Sequence, residues 1–286
     1  MKLIPTSIAA CALLALFSGL ALPSAKSAVV HTWNEPFTAP ENGLPTGWQG
    51  VLSGTDPDAG TIAVTEVAEN EWRLMLRRDD GSNQTAFYTG SQGPIVDGVI
   101  ENFNASVVLS VTGGTSGNFV RGIVGRAQSV SSSIVGYYAY LRSDRIFISL
   151  NAATGEGSSL VETTLAETLA KDTEYQLHFS ANGSLLAASV YKKDVLGEFT
   201  ILLGEVSTMD DTYASGILGL RAAPDGDTRY ATFSNLEVEV IPEPSLAWSA
   251  LAMLGWIGWR QRRKRAERDG VRFFPRLSDR FCVRRK

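Results

Sequence analysis

Three tyrosines close together, Tyr137, Tyr138 and Tyr140, are the residues of this sequence best suited to holding a ligand. Phe147 follows them, with Arg142, Asp144 and Arg145 between. Aromatic faces stack on sugar rings, and neighbouring polar groups orient the hydroxyls. The three tyrosines are therefore the candidate glycan-binding residues. Side chains on a strand alternate between faces, so Tyr138 and Tyr140 share one face and Tyr137 takes the other. Alternating tyrosines also serve as core residues and cross-strand pairs, and the sequence leaves open which set faces outward.

Catalytic chemistry has fewer candidates. Between Val29 and Ile241 the histidines are His31, expected in a flexible mature terminus, and His178, expected on the solvated face of a strand. Cys11 and Cys282 fall outside that stretch, so no disulfide framework and no cysteine-ligated metal is expected. No Gly-x-Ser-x-Gly is present, and no glycine loop that would cradle phosphate precedes a helical pattern. Glycoside hydrolysis needs a carboxylate pair roughly 5–10 Å apart. The nearest pairs are Glu69-Asn70-Glu71 and Glu237-Val238-Glu239, the second reading as a solvent face. Asp225-Gly226-Asp227 suits a turn as well as calcium, and with no third ligand identified neither metal nor cofactor is expected.

The elements that would position these groups read as strands. Apolar residues alternate in Val107-Leu109-Val111, Ile146-Ile148-Leu150, Tyr175-Leu177-Phe179, Leu186-Ala188-Val190 and Phe199-Ile201-Leu203. Turn clusters separate them, at 79–83, 113–118, 181–184 and 224–227. Asn182-Gly183 marks the clearest hairpin, from Gln176 to Val190. Leu160 to Lys171 is the one stretch with helical spacing, and a strand followed by a loop fits it as well. About a dozen strands at this spacing predict an all-β fold, an antiparallel β-sandwich of the jelly-roll kind over 29–241.

The two ends address the chain. Residues 1–28 form a signal peptide: Lys2, an apolar stretch from Ile8 to Leu22, then Ala25 and Ser27 at the −3 and −1 positions. Signal peptidase and the secretion translocon are the implied partners. Near the other end, Pro242-Glu243-Pro244 breaks regular structure. An uncharged run from Leu246 to Trp259 follows, with Trp248, Trp256 and Trp259, long enough for a short transmembrane helix. Arg260, Arg262, Arg263, Lys264 and Arg265 would stay on the cytoplasmic side, followed by a basic tail over 266–286. Residues 29–241 carry 12 basic and 26 acidic side chains, a net −14, whereas 260–286 carry +9. So acidic a domain excludes nucleic acid as its partner, because phosphate contacts need clustered Lys and Arg.

Pro-Glu-Pro, a short apolar helix and an arginine cluster, in that order at 242–265, closely resemble the PEP-CTERM sorting signal. The resemblance implies an exosortase as partner, an inner-membrane intermediate, and delivery to the cell envelope or extracellular matrix. The chain departs from the family by running on to Lys286. A second resemblance rests on Phe37…Leu44-Pro45-Thr46-Gly47-Trp48, on Gly136 to Leu141, and on Gly219-Leu220-Arg221…Ala231 to Val238. These look like a concanavalin A-like, laminin-G-type lectin/glucanase domain, in which the first and last strands pair. Glucanases of that fold carry Glu-x-Asp-x-x-Glu or Glu-x-Asp-x-Glu, and neither occurs here. The two resemblances together imply a secreted, sorted, non-enzymatic protein that binds or organises surface polysaccharide. The alternatives are a glycoside hydrolase of the same fold and a structural matrix protein that binds nothing.

Overall fold

Strand alternation organises the chain from His31 to Val240 in a computed structural model, which describes residues 31–37, 43–52, 60–68, 71–78, 84–91, 95–112, 119–130, 135–151, 157–223, 229–241 and 260. The described strands form two antiparallel sheets. The first runs β14 (Phe199–Met209), β13 (Leu185–Lys193), β12 (Tyr175–Asn182), β7 (Phe103–Thr112), β16 (Arg229–Val240), β4 (Glu71–Arg78) and β3 (Gly60–Ala68). β1 (His31–Glu35) pairs with the end of β16, so the first and last strands lie side by side. The second sheet runs β11 (Gly157–Thr164), β10 (Arg145–Asn151), β9 (Gly136–Leu141), β8 (Val120–Ala127), β15 (Gly216–Ala223), β5 (Gln84–Tyr88) and β2 (Trp48–Leu52), with β6 (Val99–Ile100) beside the start of β15.

The core lies between the sheets. From the first sheet it takes Leu74, Leu76, Val107, Leu109, Leu177, Phe179, Leu186, Val190 and Phe233, and from the second Ile123, Ala139, Leu141, Ile146, Ile148, Leu218 and Leu220. Near the start of the chain Trp33, Phe37, Trp48 and Tyr88 form an aromatic knot; Trp33 and Tyr88 lie 4.1 Å apart between ring centres. These account for Phe37 and Trp48 of the opening sequence pattern as packing residues. His31 stands in β1 opposite Val240, in place of the flexible terminus expected for it, because the chain's last strand offers it a pairing edge.

Bulges shift the register at several points among the described strands, and those on β16 and β14 change which side chains reach the core. On β16, Asn235 takes φ 49° where the register slips between Ser234 and Glu237, so both Phe233 and Leu236 reach the core. On β14 the register runs from Gly204 opposite Val190 to Leu202 opposite Tyr191, leaving Leu203 as the extra residue. Leu203 is buried while Ile201 and Leu202 are exposed, so Phe199-Ile201-Leu203 do not share the inward face that simple alternation predicts. The hairpin at 176–190 forms with Asn182 opposite Leu185, and Gly183 supplies the positive φ, 56°, at the first of two loop positions.

Leu160 to Lys171 is not helical. β11 ends at Thr164, and the chain then spends its amides on its neighbours: Leu165 N–H on the Asp144 carbonyl, Ala166 N–H on Leu203 and Leu169 N–H on Ser143. Leu165 and Leu169, four apart, are buried by this loop and not by a helix face.

The chain divides into two compact units, Met1–Pro242 and Glu243–Lys286. Arg260 is the described residue of the second, helical and exposed. The signal peptide, Pro242, Glu243, Pro244, the apolar run to Trp259, and Arg262, Arg263, Lys264 and Arg265 lie outside the described residues. Among the described residues no helix is long and apolar enough to cross a membrane.

Candidate functional site

The outer face of the first sheet is polar because β12 keeps strict alternation: Tyr175, Leu177, Phe179 and Ala181 point inward, leaving Gln176, His178 and Ser180 outside. Strand register then builds two rows across five strands. One reads Glu239, Asn104, Ser180, Ala187, Ser207; the other reads Glu237, Ser106, His178, Ser189, Glu205. Ser106, Ser180, Ala187 and Ser189 keep much of the middle short, while Glu237, Glu239 and Glu205 stand on the flanking strands. Short side chains between long ones leave an open groove of about 670 Å³, lined among others by Asn104, His178, Ser180, Ser189, Glu205 and Glu239.

The groove is rich in hydrogen-bonding groups with few internal partners. Asn104 Nδ2 donates to Glu239 Oε2 at 2.6 Å. Ser180 Oγ reaches the Ala187 carbonyl at 3.5 Å, a long contact. His178 packs edge-on against the Tyr191 ring, 5.1 Å between centres. Burial holds the His178 pKa below the usual imidazole range, against an opposing pull from the Glu237 carboxylate. The ring is thus neutral near pH 7, with one nitrogen donating and the other accepting. Such a surface can bind hydroxyl groups in either sense. Among the described residues no three His, Cys, Asp or Glu side chains come together as a metal site.

The candidate tyrosines lie on the second sheet. Tyr137 faces the core and is 0% exposed; its hydroxyl donates to Asp210 Oδ1 and accepts from the Tyr213 amide at 3.1 Å. Burial, followed by the bond to the Asp210 carboxylate, pushes its pKa up to about 12. Tyr138 and Tyr140 take the opposite face, as period two requires, and join Phe87, Val124, Ala127 and Phe147 in a second apolar cluster. They are 0% and 8% exposed. Burial pushes Tyr138 up to about 12, against the nearby Arg221 cation, and raises Tyr140 as well. A stacking platform needs an open ring face, so as they stand these rings do not form one. The reason is that every residue of β9 is buried, on its inner and its outer side alike.

His178, Glu237 and Glu239 stand on the solvent faces that alternation predicts, and strand register sets them beside Asn104, Ser189 and Glu205, a proximity no single strand's pattern carries. The signal available was the run of small and polar residues at alternate positions of neighbouring strands: Asn104 and Ser106, His178 and Ser180, Ala187 and Ser189, Glu205 and Ser207.

No family model and no curated protein matches this sequence. Solved structures do. A carbohydrate binding module, CBM66 from Bacillus subtilis, is similar at 16% identity over 71% of this chain and 99% of its own, with a TM-score of 0.47. The Lotus tetragonolobus seed lectin matches at 13% identity over 75% of this chain and 100% of its own, TM-score 0.48. The exoplasmic/lumenal domain of VIP36, in a Ca2+/Man-bound form, matches at 10% over 75% and 92%, TM-score 0.49. With TM-scores below 0.5 these similarities carry no functional weight. The all-β, two-sheet antiparallel sandwich stands on its own strand pairing.

Proposed function

We propose that this is a non-enzymatic, exported protein whose β-sandwich binds surface or matrix polysaccharide in the groove on the outer face of its first sheet. The observation that carries the reading is the groove itself: about 670 Å³, open to solvent, and lined by hydroxyl, amide, imidazole and carboxylate groups on a rigid sheet. Carbohydrate hydroxyls both donate and accept, and a neutral imidazole beside carboxylates and serines answers both. The ends of the chain supply the address in this proposal: a signal peptide over 1–28 and a PEP-CTERM-like signal over 242–265, processed by an exosortase and delivering the domain to the cell envelope or extracellular matrix.

Two experiments test it. Ser189→Trp puts an indole in the floor of the groove, on an outer-facing strand position. The substituted full-length protein should fold and lose retention on the polysaccharides that hold the wild type on a glycan array. Undiminished retention would place binding elsewhere, and release of reducing ends by the same preparation would make the protein a hydrolase. For the address, alanines at Pro242, Glu243 and Pro244 should leave precursor in the inner membrane of the native host. Unchanged delivery would remove the sorting signal from the account.

A further inference from the structure

A second cavity, about 470 Å³, opens further along the outer face of the first sheet, lined among others by Arg73, Ser110, Glu174 and Lys193. The strands that build the polar groove also serve this cavity. Asn104 and Ser110 both stand on β7, Ser189 and Lys193 both on β13, and Glu174 leads into β12, which carries His178. Glu174 and Ser180 are six residues apart, roughly 20 Å at the rise of a strand. That is several times the length of one pyranose ring. The cations of the second cavity are answered within the protein: Arg73 and Lys193 both donate to Glu174, and Lys192 donates to Glu167. A ligand there need not bring a charge.

Between the two cavities runs one row of different chemistry. Register sets Gln176 of β12 opposite Tyr191 of β13, and Tyr191 opposite Leu202 of β14. On the same face of β13, Tyr191 has Ser189 of the groove on one side and Lys193 of the second cavity on the other. Tyr191 is half-buried and Leu202 is 43% exposed, so the row meets solvent. His178 holds the tyrosine ring from the groove side at an interplanar angle of 73°. An apolar strip with hydrogen-bonding groups on both sides matches a pyranose, whose C–H faces are apolar and whose hydroxyls ring the edge.

We propose that the polysaccharide site is one cleft in three parts, in which Tyr191 and Leu202 carry a sugar ring between the polar groove and the Arg73–Glu174–Lys193 cavity. Such a cleft takes an internal stretch of a linear, neutral polysaccharide and not a single terminal sugar. The inference rests on the groove being the binding site, and adds to it a stacking residue, a second hydroxyl-binding cavity and a ligand class. Length follows from the span of the two cavities. Neutrality follows from charge: Glu205, Glu237 and Glu239 stand at the groove in a domain of net −14, and they repel an acidic chain.

The test is an affinity series for the full-length protein, in mild detergent, on linear glucans, mannans and galactans presented as disaccharides and as successively longer oligomers, with a polyuronate beside them. Affinity for the polymer that is retained should rise about tenfold or more from the disaccharide to the longest oligomer. Tyr191→Ala should fold and lose about tenfold on the long oligomers, whereas Tyr191→Phe, which keeps the ring, should hold them like the wild type. Leu202→Asn, at an exposed position, should also weaken retention and serves where Tyr191→Ala does not fold. A disaccharide held as tightly as the longest oligomer, or undiminished affinity in folded Tyr191→Ala, would overturn the three-part cleft; loss of binding in Ser189→Trp would then still uphold the groove. Equal loss in Tyr191→Phe would overturn stacking, and tighter binding of the polyuronate would overturn the neutral ligand. Retention of none of the neutral polymers would overturn the groove and this inference together.

Discussion

The two sheets of the sandwich present opposite kinds of outer face. On the first, β12 alternates buried and half-buried through Ala181, and its outer side chains His178 and Ser180 stand in an open polar groove. On the second, β9 is buried at all six positions, and its outer side chains Tyr138 and Tyr140 sit in an aromatic cluster with Arg221 against them. Period two fixes which residues share a face on both strands. It says nothing about whether that face is then covered. On β12 the outer side chains line an open polar groove, whereas on β9 they are buried in an apolar cluster with Phe87, Val124, Ala127 and Phe147.

A backbone clash tests this contrast at Gly122. A Cβ there would stand 1.9 Å from the Ala139 carbonyl oxygen, a backbone atom that cannot step aside. Gly122→Ala should destabilise by roughly 1–3 kcal/mol or prevent folding, since overpacking a tight sheet forces backbone shifts. A change at the matching depth of the first sheet's outer face, Ser189→Ala, should fall within about 0.5 kcal/mol of wild type. Urea midpoints of the two variants measure the difference directly; equal midpoints would mean that the two faces are packed alike.

Next come the tyrosines. Tyr137→Ala and Tyr138→Ala remove fully buried rings from opposite sides of β9, and each should cost roughly 3–5 kcal/mol. The opposite phenotypes expected of an inward and an exposed tyrosine should therefore not be seen, although the two side chains do point in opposite directions. His178→Ala, on the first sheet, should lower the melting temperature far less. A Tyr138→Ala protein as stable as wild type would reopen the platform reading.

Alkali should sharpen the same comparison. The folded-state pKa values of Tyr137 and Tyr138 are raised to about 12, above the ordinary 10.0 of an exposed tyrosine. Raised values mean that the folded state favours the protonated phenols. Their contribution is therefore complete below about pH 10 and lost as pH climbs towards 12. Tyrosinate absorbance from these residues should rise with unfolding in that window and not before it. The smallest effect belongs to His178, whose lowered pKa favours the neutral ring in the fold. Its contribution is present above the unfolded value near 6.5 and fades as pH falls through the folded one. A ring-proton titration midpoint at or above the ordinary imidazole value would contradict its half-buried setting.

How much of this was legible in the residues depends on range. The sandwich was, because apolar alternation in β7, β10, β12 and β13 is local and each strand carries its own signal. The Gly183 turn was legible for the same reason. The bulges were not: Asn235 and Leu203 look like ordinary strand residues, and their departure from alternation follows from what the neighbouring strand offers. Nor was the loop at 165–171, where Leu165 and Leu169 have helical spacing but their amides find partners on Asp144 and Ser143. The groove lay hidden in the same way, since Glu237, Ser106, His178, Ser189 and Glu205 meet only through four strand registers. Arg126 is the clearest case of a role set by distant chain. Its buried guanidinium donates to the carbonyls of Glu101, Gly183 and Tyr213, tying three turns that no local pattern connects.

The central claim is that the polar groove of the first sheet is where polysaccharide binds. Every described strand lies between His31 and Val240, so residues 29–241 expressed alone should fold to a strand-dominated circular dichroism spectrum. Backbone amide shifts of that fragment, followed as neutral oligosaccharides selected from the glycan array are added, measure the claim most directly. Saturable shifts should centre on Asn104, His178, Ser180, Ser189 and Glu205, with Tyr137 and Leu220 unmoved. Shifts confined to β9, β10 and β15, with the groove amides silent, would contradict it.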